Sequence, residues 1–221
     1  MADDFATRLA RLDACAVSDA LDQLGLPPSV TGLKSLAAHR RVSGPVITVK
    51  LAAGKAPEGA DARHLCTTAI DGASAGHVIV VEQRTGIECA GWGGILSNAA
   101  RLRKVSGVIV EGLARDVDEA SDIDFAVYAR GATARTARGR IHEAATGDPV
   151  QVGDTMVATG DWVVADGSGA AFIPAARIED VLAAAERIAA RESAMTKAVL
   201  ARHPASTVMG GDYEHLLEMN A

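Results

Sequence analysis

Two short apolar runs constrain this chain more than anything else in it: "HVIVVE" from His77 and "GVIVEG" from Gly107. The second is continuous and bounded by glycines, so its strand is expected to be covered on both faces, as in a parallel or mixed sheet between layers. Between the runs lies "GGILSNAARLRK", which begins on a glycine pair and reads as a helix with Ile95, Leu96, Ala99, Ala100 and Leu102 on its inner side.

The other segments fit the same scheme. "DFATRLARLDACAVSDALDQLGL" carries Phe5, Leu9, Leu12, Val17, Leu21 and Leu24 as a helical stripe, and Gly25 with Pro27-Pro28 ends it. "PVITV" behind Gly44 reads as a strand, "DARHLCTTAI" from Asp61 as a helix, and "FAVYARG" from Phe125 as a strand. The character changes at "GDPVQVGDTMVATGDWVVADGSGAAFIP", where short β runs alternate with Gly-Asp turns. Pro174 then opens a long Ala-rich helix, with proline in its first turn. The reading is one α/β domain over residues 1–221, with a mixed sheet, a long C-terminal helix, and tails at 1–10 and 204–221.

At 221 residues the chain is long enough for a substantial core. Aromatics make up only 3% of it against 48% apolar residues, so Ala, Val, Leu and Ile must build that core. A net charge of −6 argues against a nucleic-acid partner. No segment has the run of about 18 apolar residues that a membrane span needs, and the acidic start "MADDFATRLARLDAC" lacks the apolar region of a signal peptide. Cys15, Cys66 and Cys89 form neither a zinc pattern nor a disulfide framework, so reduced thiols in a cytoplasm are expected.

Arg115-Asp116-x-x-Glu119 is the sharpest chemical feature. It follows the buried run Val108–Val110, which is expected to end at Glu111-Gly112, and so falls in the loop beyond the strand's carboxyl end, where open α/β sheets bind ligands. If Asp116 opens a helical turn, Glu119 shares its face. Two carboxylates on one face suit Mg²⁺ or Mn²⁺, which keep several waters. Arg115 adds a planar cation able to hold a carboxylate or an enolate. The plainer alternative is a solvated helix start whose acids favour the dipole. Gly93-Gly94 lets backbone approach an anion at a helix N-terminus, or simply makes a turn. Of the histidines, His142 in "RIHEAA" is the one beside an acid in an expected loop; none has metal-ligand spacing. Cys89 reads as a small buried thiol.

The chain-wide order of these pieces resembles the family of class II 4-hydroxy-4-methyl-2-oxoglutarate aldolases and the regulator of ribonuclease E activity, whose members often carry the label demethylmenaquinone methyltransferase. The resemblance covers residues 10–195 and rests on "AVSDALDQLG", "VSGPVITV", "AIDGASAGHVIVVE", "GWGGIL", "GVIVEGLARDVDE", "FAVYARG" and "PVQVGDTMVATGDWVVADGSGAAFIP". It implies a swivelling β/β/α-type domain and a homotrimer or hexamer. In the family, an upstream position and an Arg-Asp pair are separated by twenty residues, and here residues 95–114 separate Gly94 from Arg115. Many members carry an upstream acid; this chain resembles the variant with glycine there and an added acid, Glu119.

The resemblance therefore implies that Asp116 and Glu119 bind Mg²⁺ or Mn²⁺. It gives Arg115 the 2-keto acid and its enolate, and the backbone of Gly93, Gly94, Ile95 and Leu96 the substrate carboxylate. Asp19 serves a neighbouring subunit's site. The implied activity is retro-aldol cleavage of small 4-hydroxy-2-keto acids to pyruvate, with oxaloacetate decarboxylation. The alternative from the same family is a non-catalytic regulator of an RNA-degrading enzyme. Arg135, Arg138, Arg140 and His142 are candidates for the pocket wall that meets the substrate's far end.

Overall fold

The computed structural model describes residues 2–57 and 64–210. Helices α1 (Ala2–Leu9) and α2 (Ala14–Gln23) open the chain, followed by strands β1 (Lys34–Ala37) and β2 (Val42–Ala53). Then come α3 (Thr67–Gly72), β3 (Val78–Glu82), β4 (Ala90–Trp92), α4 (Gly94–Leu102), β5 (Gly107–Ala114), α5 (Val117–Asp122) and β6 (Ala126–Ala132). The β-rich part is β7 (Ile141–Thr146), β8 (Val150–Val152), β9 (Thr155–Val157), β10 (Trp162–Asp166) and β11 (Gly169–Ile173). A 3₁₀ turn leads into α6 (Ile178–Leu200), and the short α7 (Ala205–Val208) follows.

Nine strands form one mixed sheet in the order β1-β6-β5-β3-β2-β10-β11, with β4 on β5 and β7 on β2. The centre, β2-β3-β5-β6, is parallel; the outer pairings are antiparallel. β2 organises the sheet. One edge lies along β3, while the other pairs first with β10 and then with β7. Thr159 bridges that change of partner: its Oγ1 accepts from the Thr48 N–H at 3.0 Å.

The expected two-sided burial of the central strands holds. Ile79, Val81, Val108 and Val110 face a core closed by α3, α4 and α5, with Trp92 and Phe125 stacked at 6.2 Å. Val78, Val80 and Ile109 face Val150, Val152 and Val157 of the β8-β9 hairpin. A third cluster packs Val17 and Leu21 of α2 and Val181 and Leu182 of α6 over β10 and β11. Arg8 clamps α1 to α6 through two bonds to Glu186, of 2.7 and 2.8 Å; donation by that guanidinium draws the Glu186 carboxyl below its usual range.

Several expectations need correction. The first helix is two: Asp13 adopts an extended backbone and its side chain caps α2 by accepting the Ala16 N–H at 2.8 Å. β5 does not end at Glu111-Gly112 but passes an irregularity there and runs on to Ala114. Ile95 and Leu102 point outward, each 83% exposed, because α4 buries the stripe of Leu96 and Ala100 instead. "RIHEAA" is strand, not loop. The helix expected from Asp61 begins at Thr67, after Cys66 in a left-handed conformation; residues 58–63 lie outside the described residues. The expected tail folds back at first, with Val208 of α7 fully buried; 211–221 lie outside the described residues.

The tightest backbone approach is at β2. A Cβ on Gly44 would overlap the carbonyl oxygen of Gly76. Neither partner is a flexible side-chain end, so Gly44→Ala is expected to destabilise the protein by about 1–3 kcal/mol. Chemical denaturation checks this: an unchanged midpoint would mean that β2 can move aside freely.

Candidate active site

The parallel pairing of β4 with β5 brings the start of α4 beside the end of β5, where the Arg115 N–H donates to Trp92 O at 3.0 Å. Trp92 is buried, and its Nε1 donates to Ser97 Oγ at 2.9 Å, which in turn bonds Gly93 O at 3.2 Å. This holds the glycine turn rigidly against the core. Asp116 occupies the N-cap position of α5 in a left-handed conformation, φ 56° and ψ 40°, yet its side chain does not cap that helix. Its Oδ2 instead accepts the Gly94 N–H at 2.9 Å and lies 3.2 Å from Arg115 Nε.

At both glycines, neighbouring side chains occupy the place of a Cβ. A Cβ on Gly93 would stand 2.9 Å from Asp116 Oδ2, and one on Gly94 would overlap Glu119 Oε2. Glu119 thus fills the space that a side chain at position 94 would use. Its other oxygen accepts from Asn98 Nδ2 at 2.8 Å. Two carboxylates therefore converge on one glycine from α5.

A cavity of about 700 Å³ opens over this junction, lined at one end by Gly93, Gly94, Ile95, Leu96, Arg115 and Asp116. That is a usual size for a small-molecule site. The N–H of Gly94 is taken by Asp116 and that of Ser97 by Gly93 O. Among the described residues the N–H groups of Ile95 and Leu96 have no acceptor, as expected of donors in a first helical turn. Arg115 and Asp116 are each a little over a third exposed, so their ion pair is solvent-screened.

The far wall separates the basic candidates. Arg138 and His142 line the cavity, as does His64. His142 Nδ1 lies 3.2 Å from Gly54 O, which makes it the donor; Nε2 has no partner among the described residues. Arg135 pairs with Glu88 at 2.9 Å, and Arg140 donates to Thr136 O; neither lines the cavity. Glu143 is committed to the Cys66 N–H at 2.5 Å and the Thr146 hydroxyl at 2.6 Å. Burial, then the Glu143 charge, pushes the Cys66 thiol well up, so it stays protonated. Asp19 lies exposed on α2 and does not line the cavity of its own chain. Asn98 and Trp92 escaped sequence reasoning as site residues, and His64, expected to be a surface or partly packed histidine, lines the cavity. Only Asn98 left a signal, its i+4 spacing from Gly94.

The donor set fits a hard divalent ion. Asp116 and Glu119 offer carboxylate oxygens at one glycine, whose missing side chain lets Glu119 approach, and both are exposed, which leaves room for water ligands. Among the described residues there is no cluster of three or more His, Cys, Asp or Glu side chains that could hold a metal, so an ion held by these two carboxylates would depend on water for the rest of its shell.

A mixed sheet with a long C-terminal helix, and a glycine-rich helix start facing an Arg-Asp loop, define the class of protein. The chain belongs to the RraA-like family (Aldolase/RraA), whose model matches residues 14–171. It is 28% identical over 200 residues, 89% of each chain, to a Halalkalibacterium halodurans protein named "Putative 4-hydroxy-4-methyl-2-oxoglutarate aldolase". A Burkholderia mallei protein of the same name is 34% identical over 131 residues, 59% of this chain and 73% of its own. Legionella pneumophila DlpA is 26% identical over 79% of this chain, which spans only 28% of DlpA. Among solved structures, an uncharacterised Pseudomonas syringae protein superposes with a TM-score of 0.83 at 25% identity, covering 95% of this chain and 98% of that one. Streptomyces coelicolor RraAS2, described as an unusual member of the RNase ES inhibitor RraA family, does so at 0.76 and 21% identity, over 86% and 94%. No helix among the described residues is long and apolar enough to cross a membrane.

Gly94→Ala should expel Glu119 from its place while leaving the fold intact, because Glu119 is a flexible exposed side chain. The Asn98 side-chain amide should then shift in a ¹⁵N-¹H spectrum. An unmoved Asn98 resonance would show that Glu119 does not depend on the glycine.

Proposed function

We propose that this protein is a divalent-metal-dependent lyase that cleaves small 4-hydroxy-2-keto acids to pyruvate and also decarboxylates oxaloacetate. The observation that carries the reading is the meeting, at the start of α4, of a cavity lined by Arg115, Asp116 and the Ile95 and Leu96 N–H groups, unpaired among the described residues, with a second carboxylate, Glu119, against Gly94 beside it. Asp116 and Glu119 would hold Mg²⁺ or Mn²⁺, which when bound supplies Lewis-acid polarisation of the keto oxygen. The Ile95 and Leu96 N–H groups receive the substrate carboxylate at the positive end of α4. Arg115 contacts the keto oxygen and stabilises the charge that develops there.

In the retro-aldol direction the 4-hydroxyl loses its proton, C4–O becomes a carbonyl, and the C3–C4 bond breaks. Its electron pair enters the pyruvate enolate, which then takes a proton at C3. From oxaloacetate, loss of CO₂ through the same bond gives the same enolate. Asp19 from a neighbouring subunit of a homotrimer or hexamer accepts the hydroxyl proton through water. No lysine lines the cavity among the described residues, which favours this route over a Schiff base. The names of the aldolase relatives support the lyase reading; the regulator alternative has the shared family and fold behind it, and fold alone does not decide function.

Pyruvate release from 4-hydroxy-2-keto acids and oxaloacetate should require Mg²⁺ or Mn²⁺ and stop on chelation. Asp116→Asn should cost more than about tenfold, since even the outer partners of a metal site cost that much. Full activity in a metal-free preparation would refute the metal's role, and release of no pyruvate from any of these acids would refute the lyase.

The shared site has its own test. Mixed and exchanged Asp19→Ala and Arg115→Ala subunits, each inactive alone, should recover activity, because some interfaces then carry both native residues. No recovery despite proven exchange would remove Asp19 from the site.

A further inference from the structure

Asn98 lies one turn into α4 and has no part in the chemistry above. Its Nδ2 makes two bonds, 3.0 Å to Gly94 O and 2.8 Å to Glu119 Oε1. A primary amide nitrogen carries two hydrogens, so one goes to each acceptor. The bond to Gly94 O fixes the amide to the first turn of α4, making the donor part of the helix surface rather than a mobile arm.

The consequence falls on Glu119. It is an exposed glutamate on the six-residue helix α5, a setting in which such a side chain is otherwise free to sample many rotamers. Asn98 takes Oε1, and the missing side chain of Gly94 gives Oε2 its place. The same glycine's N–H holds Asp116 Oδ2. Resting on the metal-dependent reading, we infer that Asn98 is a positioning residue that holds Glu119 as the second carboxylate of the cation site. It acts wholly through Glu119 and needs no contact with cation or substrate. Outer partners of this kind orient a ligand and carry about a 10–100-fold effect on metal affinity.

The test is Mn²⁺ titration of metal-stripped protein, with free Mn²⁺ followed by electron paramagnetic resonance. Asn98→Leu keeps the size and removes the donor; Asn98→Ala serves if the leucine variant does not fold. Each is also made in a Glu119→Ala background. Asn98→Leu should weaken Mn²⁺ binding about tenfold, leave the metal-free melting temperature near that of the native protein, and add nothing once Glu119 is gone. An unchanged affinity would overturn the inference. So would an equal loss in the Glu119→Ala background, because additivity marks an effect independent of Glu119. A native protein that binds no Mn²⁺ at all would instead overturn the metal-dependent lyase, and this inference with it.

Discussion

The 2.9 Å hydrogen bond from the Gly94 N–H to Asp116 Oδ2 is the contact on which the candidate site depends. It ties the first turn of α4 to the loop after β5, two segments 22 residues apart in sequence. The sheet makes it possible. β4 lies parallel to β5, so the chain leaves β4 directly into α4 while β5 delivers Arg115 and Asp116 to the same end. Parallel strands place successive carboxyl ends, and the loops beyond them, on one edge of the sheet. Without side chains at 93 and 94, that edge closes to hydrogen-bonding distance.

The fold was legible where burial is two-sided and continuous. The runs at 78–81 and 107–110 are apolar at every position because both faces of β3 and β5 meet a core. It was illegible where a single residue decides. Asp13 splits the first helix by a local cap that a hydrophobic stripe cannot reveal. Ile95 and Leu102 look like core residues by spacing, yet α4 is buried along Leu96 and Ala100, and a short helix with apolar residues around much of its girth does not announce its inner face.

The candidate site was legible in part. The Arg115-Asp116 pair and the glycines could be named from their positions relative to a strand and a helix. What could not be read was the use of the side chains. Asp116 at an N-cap position should bond its own helix, but it turns to Gly94 instead. Of the three arginines between residues 135 and 142, two are committed elsewhere, Arg135 by Glu88 and Arg140 by a backbone carbonyl. Such partners are brought in by loops whose paths no local pattern fixes.

The conformation of Asp116 shows where the cost of this arrangement sits. A non-glycine residue in the left-handed region costs roughly 1–3 kcal/mol, and Asp is among the residues that bear it most readily. The position also places one carboxylate beside a second, Glu119, and like charges at one glycine repel. The Gly94 N–H and Arg115 offset the charge of Asp116, and the Asn98 amide that of Glu119. These groups are fixed in a helix turn and at a strand end, so the carboxylates are held together before any ligand arrives. A site organised this way meets its ordering cost in folding rather than in binding, which is the condition under which a small ligand can be bound in defined geometry.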